Sequence, residues 1–164
     1  LSSMSASMSR FSIDKAFEPA AATSLDLKQD YYGGSSFDIG TFDGTATGVV
    51  GLILPAINAG LFRPFLWESR SVVLLIAGIE NIFLLAFTIY ILYQTKVRGA
   101  FKIIVKNPVL LFCIVFTIFF AFMIGITTSN FGALVRLKIP ILPFFVSALF
   151  MIDYLRTLKE NRDF

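Results

Sequence analysis

The feature that most constrains this chain is an apolar run, PVLLFCIVFTIFFAFMIGITT, which extends from residue 108 to residue 128 without a charged side chain. A second run, SVVLLIAGIENIFLLAFTIYILY at residues 71–93, carries a single acidic residue. At about 1.5 Å per helical residue, each run is long enough to cross a hydrocarbon layer about 30 Å thick. Because backbone polar groups in lipid must be bonded within the chain, these runs predict two membrane-spanning helices.

Two further apolar segments are less regular. Residues 139–155, IPILPFFVSALFMIDYL, are shorter and begin with prolines, which the first turn of a helix tolerates, so we expect a third span. Residues 48–67 contain Pro55 and Asn58 and end on Trp67, which suits a membrane interface. This pattern favours an interfacial or re-entrant helix, with a full span left open. The predicted fold class is an all-α integral membrane protein.

Composition limits the chemistry as well as the fold. Hydrophobic residues make up 56% of the chain and charged residues 15%, whereas globular domains average about 45–50% apolar. Histidine, the commonest general base and metal ligand, is absent. The single cysteine, Cys113, lies in an apolar run, which indicates a buried structural thiol and excludes an intrachain disulfide. No nucleotide-binding, zinc-hydrolase or serine-nucleophile motif is present, so we expect no metal and no cofactor, and enzymatic activity stays undecided.

Residues 1–47 differ from the rest of the chain, with three Lys and Arg against six Asp and Glu and many Ser and Gly. They predict a polar, loop-rich segment outside the membrane. Asp38 and Asp43 could suggest a calcium loop, but their spacing fits no EF-hand, and a solvated loop is favoured. The chain begins with Leu and has no signal-peptide pattern, so we expect it to be a piece of a longer protein.

Basic residues predict the orientation in the membrane. The connection at residues 94–107 carries four Lys and Arg and no acid, and the tail at residues 156–164 adds three more. These seven cations compare with four at the opposite ends of the predicted spans. The positive-inside rule therefore places the N-terminal segment outside and the tail in the cytoplasm. Because an orientation signal explains these cations, they do not predict binding to nucleic acid.

Glu80 and Asn81 lie near the middle of the 71–93 run. A carboxylate at that depth costs several kcal/mol unless it is paired, hydrated or protonated. We therefore expect both side chains to face the bundle interior or a polar cavity. A proton relay, an acid or base, or a substrate-binding group would each explain them. So would a structural hydrogen bond from a protonated Glu80 to a neighbouring helix.

Arg136 and Lys138 stand between the second and third predicted spans, on the predicted outer side. An arginine fork and a lysine point charge suit a phosphate or pyrophosphate group. Arg63 and Arg70 flank the first span on the same side and could join this site. The alternative is that all four cations mark helix boundaries and extend to lipid headgroups, with Glu68 pairing with either nearby arginine.

The stretch VRLKIPILPFF, residues 135–145, resembles a motif near the C-terminus of many multispanning bacterial envelope glycosyltransferases and O-antigen-type polymerases. Those proteins use polyprenyl-linked sugars, and the resemblance implies a bacterial inner membrane and contact between Arg136 and the lipid-linked phosphate. The catalytic carboxylates of such enzymes have no counterpart here, which implies a C-terminal portion. The matching positions are Phe131, Gly132, Arg136, Lys138, Pro140 and Pro143.

The sequence therefore predicts a membrane component of envelope glycan assembly that binds a polyprenyl-phosphate-linked sugar at its outer face, with Glu80 and Asn81 lining the cavity behind. The alternative is a non-catalytic transmembrane subunit whose Phe-rich helices pack against other membrane subunits. A third reading is a transporter fragment with Glu80 as a proton-coupling site. The predicted ligand-binding side chains are Arg136, Lys138, Arg63 and Arg70.

Overall fold

A computed structural model gives the fold of the chain between residues 50 and 161. It also describes five isolated positions in the N-terminal segment, which are Pro19, Ala22, Thr23, Asp26 and Phe37. The predictions of a solvated loop around Asp38 and Asp43, and of a polar loop-rich segment, lie outside the described residues.

The described part of the chain is α-helical. The helices are α1 (Ile53–Phe62), α2 (Val72–Thr95), α3 (Val97–Lys106), α4 (Pro108–Thr127), α5 (Phe131–Leu137) and α6 (Ile141–Glu160), with a 3-10 turn at Leu66–Glu68. Three of them, α2, α4 and α6, are long and apolar enough to cross a membrane. This confirms the predicted all-α membrane fold with three spans and a shorter apolar helix.

Capping residues and a proline mark the first turns of three of these helices. The Ser71 hydroxyl accepts a hydrogen bond from the Leu74 amide at 3.3 Å and caps α2. Pro108 occupies the first turn of α4, where its missing N–H leaves no helical bond unmade. Asn130 caps α5, because its Oδ1 accepts from the Gly132 amide at 2.8 Å. The last helix, α6, continues past the predicted end at residue 155 to Glu160, so its polar final turn is also helical.

Helix α4 is the centre of the bundle, with α1 and α6 packed against it and α2 packed against α6. One group of buried side chains joins α1, α2, α4, α5 and α6. A second group joins α2, α3, α4 and α6 at the opposite end. We call the first the Arg136 end of the bundle and the second the Lys102 end, after an exposed cation at each.

The crossing of α1 and α4 depends on small residues on both helices. A Cβ atom at Gly60 would clash with the Ala121 carbonyl oxygen, and one at Gly125 would clash with the Ala56 carbonyl oxygen. Each helix thus carries an Ala-x-x-x-Gly pair, and such small residues let helix backbones approach closely in lipid. At 10 residues, α1 is about 15 Å long, roughly half the hydrocarbon thickness. Its interfacial or re-entrant placement stays a prediction.

Candidate functional site

Lys138 is the most deeply buried cation in the described part of the chain, with 2% of its surface exposed. Its Nζ donates hydrogen bonds to Asn81 Oδ1 and, at 3.3 Å, to the Arg63 carbonyl oxygen. Asn81 is also 2% exposed, and its Nδ2 donates to the Pro64 carbonyl oxygen at 2.9 Å. These contacts join the α5–α6 connection to α2 and to the α1–α2 connection.

The environment of Lys138 changes its proton affinity. Burial disfavours the charged ammonium and lowers the pKa of Lys138 from 10.5 to about 8, while the negative charge of Glu80 opposes the change. Lys138 lies between the spanning segments α4 and α6. A neutral amine keeps two N–H hydrogens, which is enough for the two acceptors that Nζ contacts. The hydrogen bonds therefore do not require the charge.

Arg63 is held by contacts within the protein. It forms an ion pair with Glu68, in which its Nε donates to Glu68 Oε2 at 3.2 Å. The same carboxylate accepts from the Phe65 amide at 3.0 Å, which fixes the 3-10 turn. The guanidinium also lies 4.5 Å from the ring centroid of Phe37 and 5.4 Å from that of Phe131. The predicted pairing of Glu68 with a nearby arginine is confirmed.

Arg136 has a different environment, because its side chain is exposed at the end of α5. It lines a cavity of about 330 Å³, and its guanidinium has no ion-pair partner among the described residues. The polar wall combines this cation with the Ser71 hydroxyl and the Asn130 amide, and Arg70 lies next to Ser71 in the chain. Apolar walls complete the cavity, formed by Val73, Leu74 and Val135.

A second, larger cavity of about 500 Å³ lies between α2 and α6. Glu80 and Asn81 line it, and the rest of its wall is apolar, formed by Phe83, Leu84, Phe87, Leu142 and Val146. Asn81 points into the protein, whereas Glu80 is exposed. Val73 of the Arg136 cavity and Glu80 are seven positions apart on α2, which puts them on one helix face about 10 Å apart.

The four cations predicted to bind a ligand differ in their exposure. Lys138 is buried and Arg63 is partly buried, and both make side-chain contacts within the protein, whereas Arg70 and Arg136 have exposed side chains. The sequence did not indicate the contact between Lys138 and Asn81, which lie 57 positions apart. The only signal was that both are polar groups in apolar surroundings.

Cys113 is a buried free thiol on α4, as predicted. Asp153 pairs with Arg156 one turn later at 3.0 Å. Among the residues that the structure describes, no cluster of three or more His, Cys, Asp or Glu side chains could hold a metal ion.

Comparison with known proteins adds no relative. No protein family, curated protein or solved structure matches the chain. The resemblance to envelope glycosyltransferases thus stays a prediction carried by residues 131–143, which form α5, the α5–α6 connection and the first turn of α6. Function must be inferred from the geometry of this chain's own side chains.

Proposed function

We propose that this chain is a membrane component of envelope glycan assembly that binds the phosphate of a polyprenyl-linked sugar at the Arg136 end of the bundle. The observation that carries the proposal is the cavity at this end, where an exposed guanidinium without a described ion-pair partner faces hydroxyl and amide groups. In this proposal the Arg136 end faces outward and the C-terminus lies in the cytoplasm, as the distribution of basic residues favours.

The chemistry of the cavity suits an amphiphilic phosphate. The guanidinium of Arg136 can donate two parallel hydrogen bonds to phosphate oxygens, and Arg70 adds positive charge beside Ser71. The cavity lies at the start of spanning helix α2, where a lipid-linked phosphate would meet the protein. Its apolar walls suit the first carbons of an isoprenoid chain.

The larger cavity would take the isoprenoid chain itself. It lies on the same face of α2, deeper along the helix, and is walled mainly by aromatic and aliphatic side chains. Phe83 and Phe87 line one side and Leu142 lines the other. Glu80 lies at the end of this cavity that is nearer to Arg136, where its carboxyl group can bond a hydroxyl of the ligand.

Lys138 and Arg63 support the proposed site by positioning it. Lys138 fixes the connection that follows α5, two residues after Arg136, through its bonds to Asn81 and the Arg63 carbonyl. Arg63 and Glu68 fix the turn that leads into Ser71. These contacts support a structural role for both cations, which differs from the ligand-binding role that the sequence suggested.

The proposal is tested by measuring how the purified full chain in mild detergent retains a short-chain polyprenyl phosphate in native mass spectrometry. We expect Arg136→Ala to weaken binding about tenfold or more, because hydrogen bonds to a charged group contribute about 1.5–3 kcal/mol and about 1.4 kcal/mol is a factor of ten. Arg136→Lys should retain part of the affinity, since it keeps the charge and loses the fork.

The matched control is Arg98→Ala, which removes an exposed cation from α3 at the other end of the bundle. It should bind the polyprenyl phosphate as the unaltered chain does. Equal binding by Arg136→Ala and the unaltered chain would contradict the proposal. If the unaltered chain binds no polyprenyl phosphate and is released from its membrane only with other proteins, the non-catalytic subunit becomes the better interpretation.

A further inference from the structure

A third cavity lies at the Lys102 end, on the opposite side of the bundle from Arg136. It measures about 340 Å³, within the range of about 300–1,000 Å³ that is usual for small-ligand sites. The end of α2, the polar face of α3 and the end of α6 form its walls. The polar residues that line it are Gln94, Thr95, Lys102, Lys106, Arg156 and Lys159.

Four cations from two helices converge on this cavity. Lys102 and Lys106 are one turn apart on α3, and Arg156 and Lys159 are one turn apart on α6. None of the described side chains that line the cavity is a carboxylate. Asp153, beside the cavity, accepts from Arg156 at 3.0 Å and offsets one positive charge. Because like charges at this spacing repel each other, the arrangement favours an anion between them.

Thr95, which lines the same cavity, carries a buried hydroxyl without a described hydrogen-bond partner. Thr95 Oγ1 is inaccessible to solvent and forms no hydrogen bond with any described residue. Buried hydroxyl groups in proteins are almost always hydrogen-bonded, so this atom indicates a missing acceptor. An oxyanion placed among the four cations would supply that acceptor.

An orientation signal alone would not produce this convergence. The positive-inside rule depends on the number of cations near the helix ends and makes no demand on their mutual positions. Lys96 and Arg98 belong to the same basic connection and are exposed, yet neither lines the cavity. Of the four cations in that connection, Lys102 and Lys106 line the cavity, and they do so together with Arg156 and Lys159 of α6.

Helix α3 also indicates where the anion comes from. Its side chains Val97, Phe101 and Val105 recur every four residues and are 69%, 67% and 53% exposed. Ala100, on another face, packs into the bundle. An exposed apolar stripe beside a basic face is the pattern of a helix that lies in the headgroup region, with its apolar side chains in the acyl layer. The cavity therefore opens where phospholipid headgroups are found.

We propose that the cavity at the Lys102 end binds the phosphate of an anionic membrane phospholipid, with Lys102, Lys106, Arg156 and Lys159 around the phosphate oxygens and the Thr95 hydroxyl donating to one of them. Basic pockets between spanning helices are a known type of anionic-lipid site. This site is separate from the proposed polyprenyl-phosphate site, and either can fail without the other.

The test uses the full chain, released from vesicles of equal phosphatidylglycerol and phosphatidylcholine and analysed by native mass spectrometry. The unaltered chain should retain phosphatidylglycerol at least fivefold over phosphatidylcholine. Lys102→Gln with Lys106→Gln should reduce retained phosphatidylglycerol at least tenfold. The matched control, Lys96→Gln with Arg98→Gln, removes the same charge from the same connection and should change retention less than twofold.

A milder variant guards against loss of the fold. Thr95→Val keeps the shape of the side chain and removes the hydroxyl, and it should lower retention of phosphatidylglycerol about threefold with an unchanged unfolding midpoint. Equal losses in the two double variants would overturn the proposal, because they would show general attraction between charges. Absence of lipid preference would overturn it too. Millimolar inorganic phosphate could displace the retained lipid and stabilise the chain to the same extent as the lipid does. That result would overturn the lipid proposal and identify the ligand of the cavity as a soluble phosphate.

Discussion

The two ends of the bundle use lysine in opposite ways. At the Arg136 end, Lys138 is buried, and its Nζ bonds to Asn81 and to the Arg63 carbonyl. At the Lys102 end, Lys102 and Lys106 are exposed around an open cavity and have no described ion-pair partner. Both ends join spanning helices through a short connection that is rich in cations.

The difference follows from what each connection offers the cation. Asn81 and the carbonyl groups of Arg63 and Pro64 form a polar cluster inside an apolar bundle, and Lys138 supplies the donor that this cluster lacks. The cavity around Lys102 is lined by three other cations, together with Thr95 and with Gln94, whose Oε1 accepts from Arg156. A lysine in a connection between spanning helices is thus a structural donor where acceptors surround it, and in our proposal it is a ligand-binding group where other cations do.

Substitution of Lys138 and of Lys102 should distinguish the two roles by the change in the free energy of unfolding. The destabilisation of Lys138→Ala is the largest effect that we expect. Lys138→Ala leaves Asn81 Oδ1 and the Arg63 carbonyl without this donor. An unsatisfied buried group costs about 1–3 kcal/mol, so the free energy of unfolding should fall by about 3 kcal/mol. The measurement is the midpoint of unfolding of the full chain in detergent.

Lys102→Ala is the matched control, because it removes the same side chain from an exposed position. Its unfolding free energy should change by less than about 0.5 kcal/mol, as is usual for surface substitutions. Equal destabilisation by the two variants would remove the distinction between the two ends. A stable Lys138→Ala variant that no longer binds polyprenyl phosphate would instead support the prediction from the sequence that Lys138 binds the phosphate.

The pH dependence of stability should sharpen the same distinction. Burial lowers the pKa of Lys138 to about 8, whereas the unfolded chain titrates near 10.5. Between these values the unfolded state binds more protons, so stability rises with pH. The contribution should be constant below pH 7 and grow by about 2 kcal/mol between pH 8 and pH 10.

The measurement compares unfolding midpoints of the unaltered chain and of Lys138→Ala across this pH range. The two proteins share every other titratable group, so the difference isolates Lys138. A difference between the unaltered chain and Lys138→Ala that falls as pH rises would mean that the folded state binds the proton of Lys138 more tightly than the unfolded state does.

The spanning helices could be predicted because their signal is local. Hydropathy over about twenty consecutive residues is enough to locate α2 and α4, and the prolines at the start of α6 fit its first turn. The pair Asp153 and Arg156 was predictable for the same reason, since its spacing in one helix brings the side chains together.

The site could be predicted only in part, because its contacts join distant positions. The sequence predicts Asn81 as an inward-facing polar group, but the residues next to it in the chain do not indicate Lys138 as its hydrogen-bond partner. The same holds for Gly60 of α1 and Gly125 of α4, because the need for a small residue at these positions is apparent only from the crossing of the two helices. The Lys102 cavity requires the ends of α2 and α6 and the polar face of α3, whereas the sequence shows only a basic connection and a basic tail.

The smallest expected effect concerns Asp153, an acid beside the Lys102 cavity. Asp153→Asn removes the ion pair with Arg156, whose guanidinium also donates to Gln94 Oε1 at 3.5 Å. Asp153 is about a third exposed, and such pairs contribute about 0–1 kcal/mol, so the unfolding midpoint should barely change. Retention of phosphatidylglycerol should rise about twofold to threefold, because the positive field at the cavity is no longer offset. A decrease would show that Asp153 holds Arg156 in the position from which it binds the phosphate. The polyprenyl-phosphate site should not respond to this substitution, since it lies at the other end of the bundle.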